Sequence, residues 1–516
     1  MTTRFNLLDE PWLTVRFCDG EVRDIGLLEL FAKLEEISEL AETSPPSLIA
    51  GYRLLLAITH RALSHHGGVW KDKDRARWYR DGFPVTALHD YLEHWRDRFW
   101  MFHPEMPFMQ VAALMGIEET QHKQKPWTQV SLASANGNMP IMFDHSCDLE
   151  PEPITPAAAM RVLLGFLQCT PGGLVKTIKT SDKAGPLANT AGVLPMGGNL
   201  QQTLCLALHP ARGREDVPSW ERPPLERLDL TAPPSLATGP NDRYSRLSRA
   251  VLFDHAGDDQ VRWLRLAVGD ALLEDANAPD PMASYRAGFN RMERLGFTEG
   301  RAFWRDLPAL VPDAEGKASQ PAAVLGWAAN LNAYLDSRQV DQPLLVAGVA
   351  SDQAKLLRWR SERLFLPANL LENVQLAGFL RGEIQRAESL HDRIEMLAKN
   401  MLAECMPEPH RKDTQAQALK VVATGGAAAK FFASVERSVP MLLQYISAGD
   451  GDKATHYWSA CLAQAAEECW QVLRREAGYT PSALCAEAKM WPRFRRLLLQ
   501  LQPDASNSEL LEETRT

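Results

Sequence analysis

Two groups of residues have types and spacing that could do chemistry. The first lies in Thr170 to Asn199, TPGGLVKTIKTSDKAGPLANTAGVLPMGGN, where Lys176, Lys179 and Lys183 are spread through a glycine-rich stretch with a single acid, Asp182. Lysines so spaced supply point charges for phosphates, while Gly172 and Gly173 let the backbone come close to a surface no side chain could approach. The bland alternative is a solvated excursion whose lysines keep the chain soluble. The second group is His60 with the pair His89 and Asp90, a set that can hold metals for phosphoester hydrolysis. That pattern is short and loosely spaced, and a chain with 13 histidines produces it easily, so surface or helix-capping histidines are the competing account.

A third stretch, GVASDQAKLLRWRSERLFLP, has a turn-like Ser351-Asp352-Gln353 followed by Lys355, Arg358, Arg360 and Arg363. It reads either as a basic helix face partly balanced by Glu362, or as a polar tip on a short loop with cations behind it for a nucleic-acid backbone. Other chemistries lack their motifs. The glycine stretch contains no Gly-x-x-x-x-Gly-Lys-Ser/Thr phosphate loop, and the chain has no His-Glu-x-x-His. Its eight cysteines include no Cys-x-x-Cys pair, so neither a zinc knuckle nor a disulfide framework is signalled.

The elements that must position these residues follow from periodicity. From residue 1 to 373 the patterns are mixed: PWLTVRF alternates like a strand, and SLIAGYRLLLAITHRAL has helical spacing. Long Pro- and Gly-rich stretches, at Thr170 to Asn199 and in VPSWERPPLERLDLTAPPSLATGPND, interrupt them. After Asn373, Leu376, Phe379, Leu380, Ile384, Ala387, Leu390, Ile394, Leu397 and Met401 recur every three or four residues, and three further helical stretches follow. The expected fold is α+β: a large mixed domain over 1–373 with long loops, a C-terminal four-helix bundle over 374–502, and a polar tail over 503–516.

Composition limits the function. The chain has 516 residues, 45% hydrophobic and 23% charged, ordinary for a soluble globular protein. A net charge of -9 argues against coating nucleic acid by bulk electrostatics, so any such contact must be local. The start, MTTRFNLLDEPWLTV, lacks the pattern of a signal peptide, and no run of roughly 18 apolar residues occurs. The expectation is a cytoplasmic protein without a membrane partner.

Five stretches in order, FNLLDEPWLTV, HPEMPFMQV, ANGNMPIMFDHS, LQCTPGG and AGVASDQAKLLRWRSER, resemble the large subunit (CasA, Cse family) of the type I-E CRISPR surveillance complex, Cascade. The resemblance implies a non-enzymatic subunit that finds the protospacer-adjacent motif in double-stranded target DNA, helps open the strands and recruits a helicase-nuclease. Its partners would be the other Cascade subunits and crRNA. Gly172 and Gly173 resemble the family's glycine loop at the motif's minor groove, and Gln353 its glutamine wedge. Met142, Phe143, Asp144 and His145 resemble its loop for the crRNA 5′ end and the backbone subunits. Lys176, Lys179, Lys183, Lys355, Arg358 and Arg360 are then the candidates for DNA phosphates. The paired-cysteine zinc site of some relatives is absent, so no metal or other cofactor is expected, and the glycine run is shorter than in some members. Minor-groove readout is degenerate, which suits a backbone-lined loop tolerant of several motifs.

Overall fold

The first unit is organised around one long buried helix. Pro45–Gly67 forms a 23-residue helix with prolines in its first turn, where a missing N–H costs nothing. Eighteen of its residues are buried, on all sides, as expected of a core helix rather than a surface one. The structure is a computed structural model and describes residues 4–132, 148–173, 175–210, 215–255, 260–335, 338, 340–352 and 355–501, with the backbone alone for 255, 351–352 and 355–358. Contacts divide the chain into two units: Met1–Glu299 with Lys317–Ala368, and Gly300–Gly316 with Asn369–Thr516.

In the first unit, helices Val85–His94, Pro156–Cys169 and Pro240–Ser245 pack against the central helix, as does strand Asp341–Asp352. The central helix carries a cation into this surround. Arg53, fully buried, pairs with the equally buried Asp280 at 2.7 Å, and its guanidinium lies 4.4 Å over the Tyr244 ring. A buried charge is tolerated only when paired in this way.

The strands form small separate sheets. Asp341–Asp352 runs antiparallel between Ala191–Pro195 and Lys355–Pro367, in register from Leu344 opposite Pro195 to Gly348 opposite Ala191. Arg249–His255 and Val261–Val268 form a second pair with Lys125–Pro126 at its edge, and Leu13–Phe17 pairs with Val22–Ile25 and Ile37–Leu40 in a third. The basic-helix reading of the stretch after Gln353 is corrected here: Lys355–Pro367 is a strand. Its exposure alternates, with Trp359, Ser361, Arg363 and Phe365 outward and Arg360, Glu362 and Leu364 half-buried. Cation density drew the helical reading, whereas the period of two was the informative signal.

The second unit is a helical bundle built on Val374–Glu404, a 31-residue helix capped by Asn373, whose side chain accepts from the backbone N–H groups of Gln375 and Leu376. Ala377, Leu380, Ile384, Ala387, Leu390, Ile394, Leu397 and Met401 are its buried stripe. Gly451–Ala477 and Pro481–Leu499 are the other long members. The helix expected over GGAAAKFFASVERSVPMLLQYI is two, Ala427–Glu436 and Val439–Ser447, because Pro440 has no N–H to continue the first but fits the opening turn of the second. A further helix, Lys412–Thr424, precedes them. The four expected helices are thus six among the described residues. The expected boundary between 373 and 374 leaves 300–316 in the first domain. In the structure Trp304 meets Trp458 edge-on at 6.2 Å, and Arg305 holds Glu388 at 2.7 and 2.5 Å while lying 3.5 Å over the Phe432 ring, so this segment belongs to the second unit.

Among the described residues no single helix is long and apolar enough to cross a membrane; Lys412–Thr424 and Ala427–Glu436 reach that length only as a pair bent by 43°. Trp458 is fully buried and its indole N–H donates to Glu383 O at 2.9 Å. Trp458→Ala is expected to lower the unfolding free energy of the second unit by about 3–5 kcal/mol in urea titration. A loss under about 1 kcal/mol would show that this indole does not anchor the core.

Candidate nucleic-acid interface

The glycine-rich loop is built outward from a helix end. Thr155 caps Pro156–Cys169, its hydroxyl accepting from Ala158 N at 3.2 Å. After Cys169 the chain leaves the helix and returns, and the neck of the excursion is closed by Gly185 N donating to Thr170 O at 2.8 Å and Leu187 N to Gln168 O at 2.7 Å. Arg249, the first residue of its strand and fully buried, reaches into this neck. Its Nη1 donates to Lys183 O at 2.5 Å and to Ser248 O at 2.8 Å. Its Nη2 donates to Pro171 O at 2.9 Å and meets the Asp182 carboxylate at 2.7 Å. Burial pushes the Arg249 guanidinium down to about 10 while Asp182 opposes the shift, so it stays charged at neutral pH.

The Asp182 carboxylate, only 1% exposed, accepts from two further backbone groups, the N–H of Gly173 and that of Val175, the second at 3.1 Å. Gly173 itself is exposed and has φ +87°, a conformation side chains rarely adopt, with nothing within 4 Å of where a Cβ would stand. At Gly172 a Cβ would lie 3.0 Å from Ala184 N. Lys176 and Lys183 expose their side chains, whereas the Lys179 ammonium donates to the Ala232 carbonyl and is half-buried.

The register of the first sheet relates this loop to the hairpin. Strand Ala191–Pro195 begins where the loop ends, and Ala191 faces Gly348. The hairpin strands run on from Gly348 to the pair Asp352–Lys355, away from the Pro195 end. Loop and hairpin end therefore emerge from the same end of one sheet. Gln353 lies outside the described residues, as do Met142, Phe143, Asp144 and His145, and the side chains of Lys355 and Arg358 are not described. Arg360 is not a bare cation: Glu362 holds it at 2.5 Å, and it lies 5.5 Å from the Phe297 ring centroid. Arg363 pairs with Glu39. Sequence reasoning missed Arg249; it is the third of three arginines, with Arg243 and Arg246, spaced every three residues before the apolar run AVLF, and only the fold shows that it reaches the loop.

His60, His89 and Asp90 do not assemble a metal site. His60 is buried and stacked on His209 with ring centroids 3.6 Å apart, its Nδ1 accepting from Asn241 Nδ2 at 2.9 Å. His89 and Asp90 are exposed side by side on Val85–His94. Among the described residues no three His, Cys, Asp or Glu side chains come together to hold a metal ion. The phosphohydrolase reading is corrected accordingly: burial with ring stacking on His209 and a hydrogen bond from Asn241, not ligation, accounts for His60.

Burial, then the neighbouring His209 and Arg61, hold the His60 pKa well below the usual histidine range. The folded state keeps this ring neutral, while an unfolded histidine takes up a proton below about pH 6.5. Unfolding then binds a proton, so stability falls with decreasing pH, by up to about 1.4 kcal/mol per unit for this group. His60→Asn is expected to flatten the drop in urea midpoint between about pH 7.5 and about pH 5.5. An identical drop in both proteins would assign it to other groups.

Residues 6–469 match the family model described as CRISPR-associated protein Cse1. The CRISPR-associated protein CasA/Cse1 of Thermus thermophilus is 34% identical over 540 aligned positions, covering 99% of each chain. A structure of Thermus thermophilus CasA (Cse1) superposes with a TM-score of 0.83 at 31% identity, covering 97% of this chain and 100% of that one. A chain of a CRISPR RNA-guided surveillance complex shares the fold, with a TM-score of 0.74 at 23% identity over 96% of this chain and 99% of its own.

Proposed function

The chain belongs to the Cse1 family of CRISPR-associated proteins, and from that membership we propose that it is the large, non-enzymatic subunit of a type I-E CRISPR surveillance ribonucleoprotein. In this reading it works in the cytoplasm with the other Cascade subunits and crRNA, recognises the protospacer-adjacent motif in double-stranded DNA, promotes strand opening and R-loop formation, and recruits the helicase-nuclease.

The observation that carries the reading is the common exit of the glycine loop and the hairpin from one end of a sheet. A duplex held there meets the loop in its minor groove and the hairpin end at the adjacent base step. Gly172 and Gly173 approach the groove with backbone alone, while Lys176 and Lys183 serve flanking phosphates. Lys355 and Arg358 supply charge behind the hairpin end. Gln353 enters the base stack, where unstacking costs a few kcal/mol that guide pairing then offsets. The segment with Met142, Phe143, Asp144 and His145 meets the crRNA 5′ end and the backbone subunits. A chain of net charge -9 needs positive potential only where DNA enters, since the guide-loaded assembly supplies the rest.

Two measurements on the assembled complex test this. Gln353→Ala is expected to impair opening of a fully paired linear target more than of one mismatched across the first base pairs, because the bubble supplies the unstacking beforehand. Equal losses on both targets would remove Gln353 from the wedge role. Replacing Lys176 and Lys183 with alanine is expected to weaken binding of all duplexes alike and to flatten the log–log salt dependence by about one unit per lost phosphate contact. Lys179→Ala should flatten it less, since that ammonium is engaged with Ala232 O. An unchanged slope in the double variant would make the loop a solvated excursion.

A further inference from the structure

We propose that Arg249 and Asp182 are positioning residues that set the DNA-contacting conformation of the glycine loop before DNA arrives. The inference rests on the reading of this loop as the one that meets the motif.

Backbone N–H groups that converge on one point form an anion-binding concavity, the kind of site that takes a phosphate. The N–H groups of Gly173 and Val175 converge in this way, but the anion they hold is the Asp182 carboxylate of the same loop. Arg249 sits behind it as the counter-charge, and its two terminal nitrogens also grip Pro171 O on the outgoing limb and Lys183 O on the returning limb. One planar guanidinium thus ties both limbs and the acid between them, a geometry a lysine point charge cannot reproduce. Arg249 is itself fixed, being paired opposite Val268 in the strand Arg249–His255.

Two consequences follow for DNA. With the Gly173 and Val175 amides already satisfied, phosphate contacts fall to the exposed ammonium groups of Lys176 and Lys183, while Gly173 offers its bare Cα surface to a groove and Gly172 lets the returning limb pack close behind it. Ordering the excursion is also completed on folding rather than on binding, so the loop meets DNA in one shape, and a shape that varies little is what discrimination between grooves requires.

The complete chain carrying Asp182→Asn, Arg249→Lys or Gly173→Leu is assembled with guide and partner subunits, and the ratio of Kd for motif and non-motif duplexes is measured. Hydrogen exchange of the loop amides is followed in the same particles. Asp182→Asn is expected to reduce motif discrimination by about tenfold or more and to speed exchange at Gly173 and Val175 by at least about tenfold, with exchange in Arg249–His255 unchanged. Arg249→Lys, which keeps the charge and loses the fork, should fall between it and the unaltered chain. Gly173→Leu, which changes the loop at its positive-φ position without touching Arg249 or Asp182 themselves, reports on the loop reading. Discrimination retained by Asp182→Asn where Gly173→Leu abolishes it overturns the positioning role and leaves the loop reading standing. Discrimination retained by Gly173→Leu sinks the loop reading, and the inference with it. Should Asp182→Asn fail to assemble, Arg249→Lys decides by the same two readouts: faster loop exchange with lost discrimination supports the role, and unchanged values overturn it.

Discussion

A helix with no solvent-facing stripe must be covered from every direction, and Pro45–Gly67 imposes that demand on the whole first unit. Its neighbours come from distant parts of the chain because no local segment could enclose it. Arg53, a charge it carries into the core, sharpens the demand. Asp280 must arrive from 227 residues away, and either partner alone would leave an uncompensated buried ion. Asp280 also receives Met282 N at 3.0 Å, and Met282 O accepts from Val193 N at 2.9 Å, so the buried pair ties the central helix to the edge of the hairpin sheet.

The candidate interface inherits its rigidity from this arrangement. The loop starts at the end of a helix that packs on Pro45–Gly67 and ends in a strand of the sheet that the same helix covers. Between these fixed points the Arg249–Asp182 pair ties the outgoing and returning limbs together. Binding elements carried on regular structure and braced by buried hydrogen bonds keep their geometry better than unsupported loops.

Much of this was legible in the sequence. The stripe beginning at Leu376, recurring every three or four residues, and the helical spacing of SLIAGYRLLLAITHRAL are periodic over several turns, and periodicity is the strongest local signal. Boundaries set by single residues were harder. Pro440 divides a stretch whose hydrophobic pattern runs on across the break, and residues 300–316 join the bundle through Trp304 and Arg305, contacts made at a sequence distance that no window reveals. Of the two readings of the stretch after Gln353, the basic helix fails because clustered arginines mask the alternation beneath them. At the site, the lysines and glycines were visible as types, but what they can do depends on partners elsewhere in the chain. Lys179 is occupied by a carbonyl, Arg360 by a carboxylate, and Asp182, noted as the lone acid of its stretch, is the hub of the loop.

The strand Lys355–Pro367 has a liability that its role in the hairpin obscures. It closes one side of its sheet, with no further strand beyond it among the described residues, whereas the opposite strand, Ala191–Pro195, has its outer N–H groups answered by Leu295 O and Met282 O. An open edge of this length is a template for pairing with another chain, and two exposed aromatic rings, Trp359 and Phe365, make it more adhesive. Arg360, Glu362 and Arg363, followed by Pro367, are the kind of residues that discourage such growth. The charges read first as a surface for a ligand thus have a second occupation, as guards that keep free copies of the chain from polymerising edge to edge.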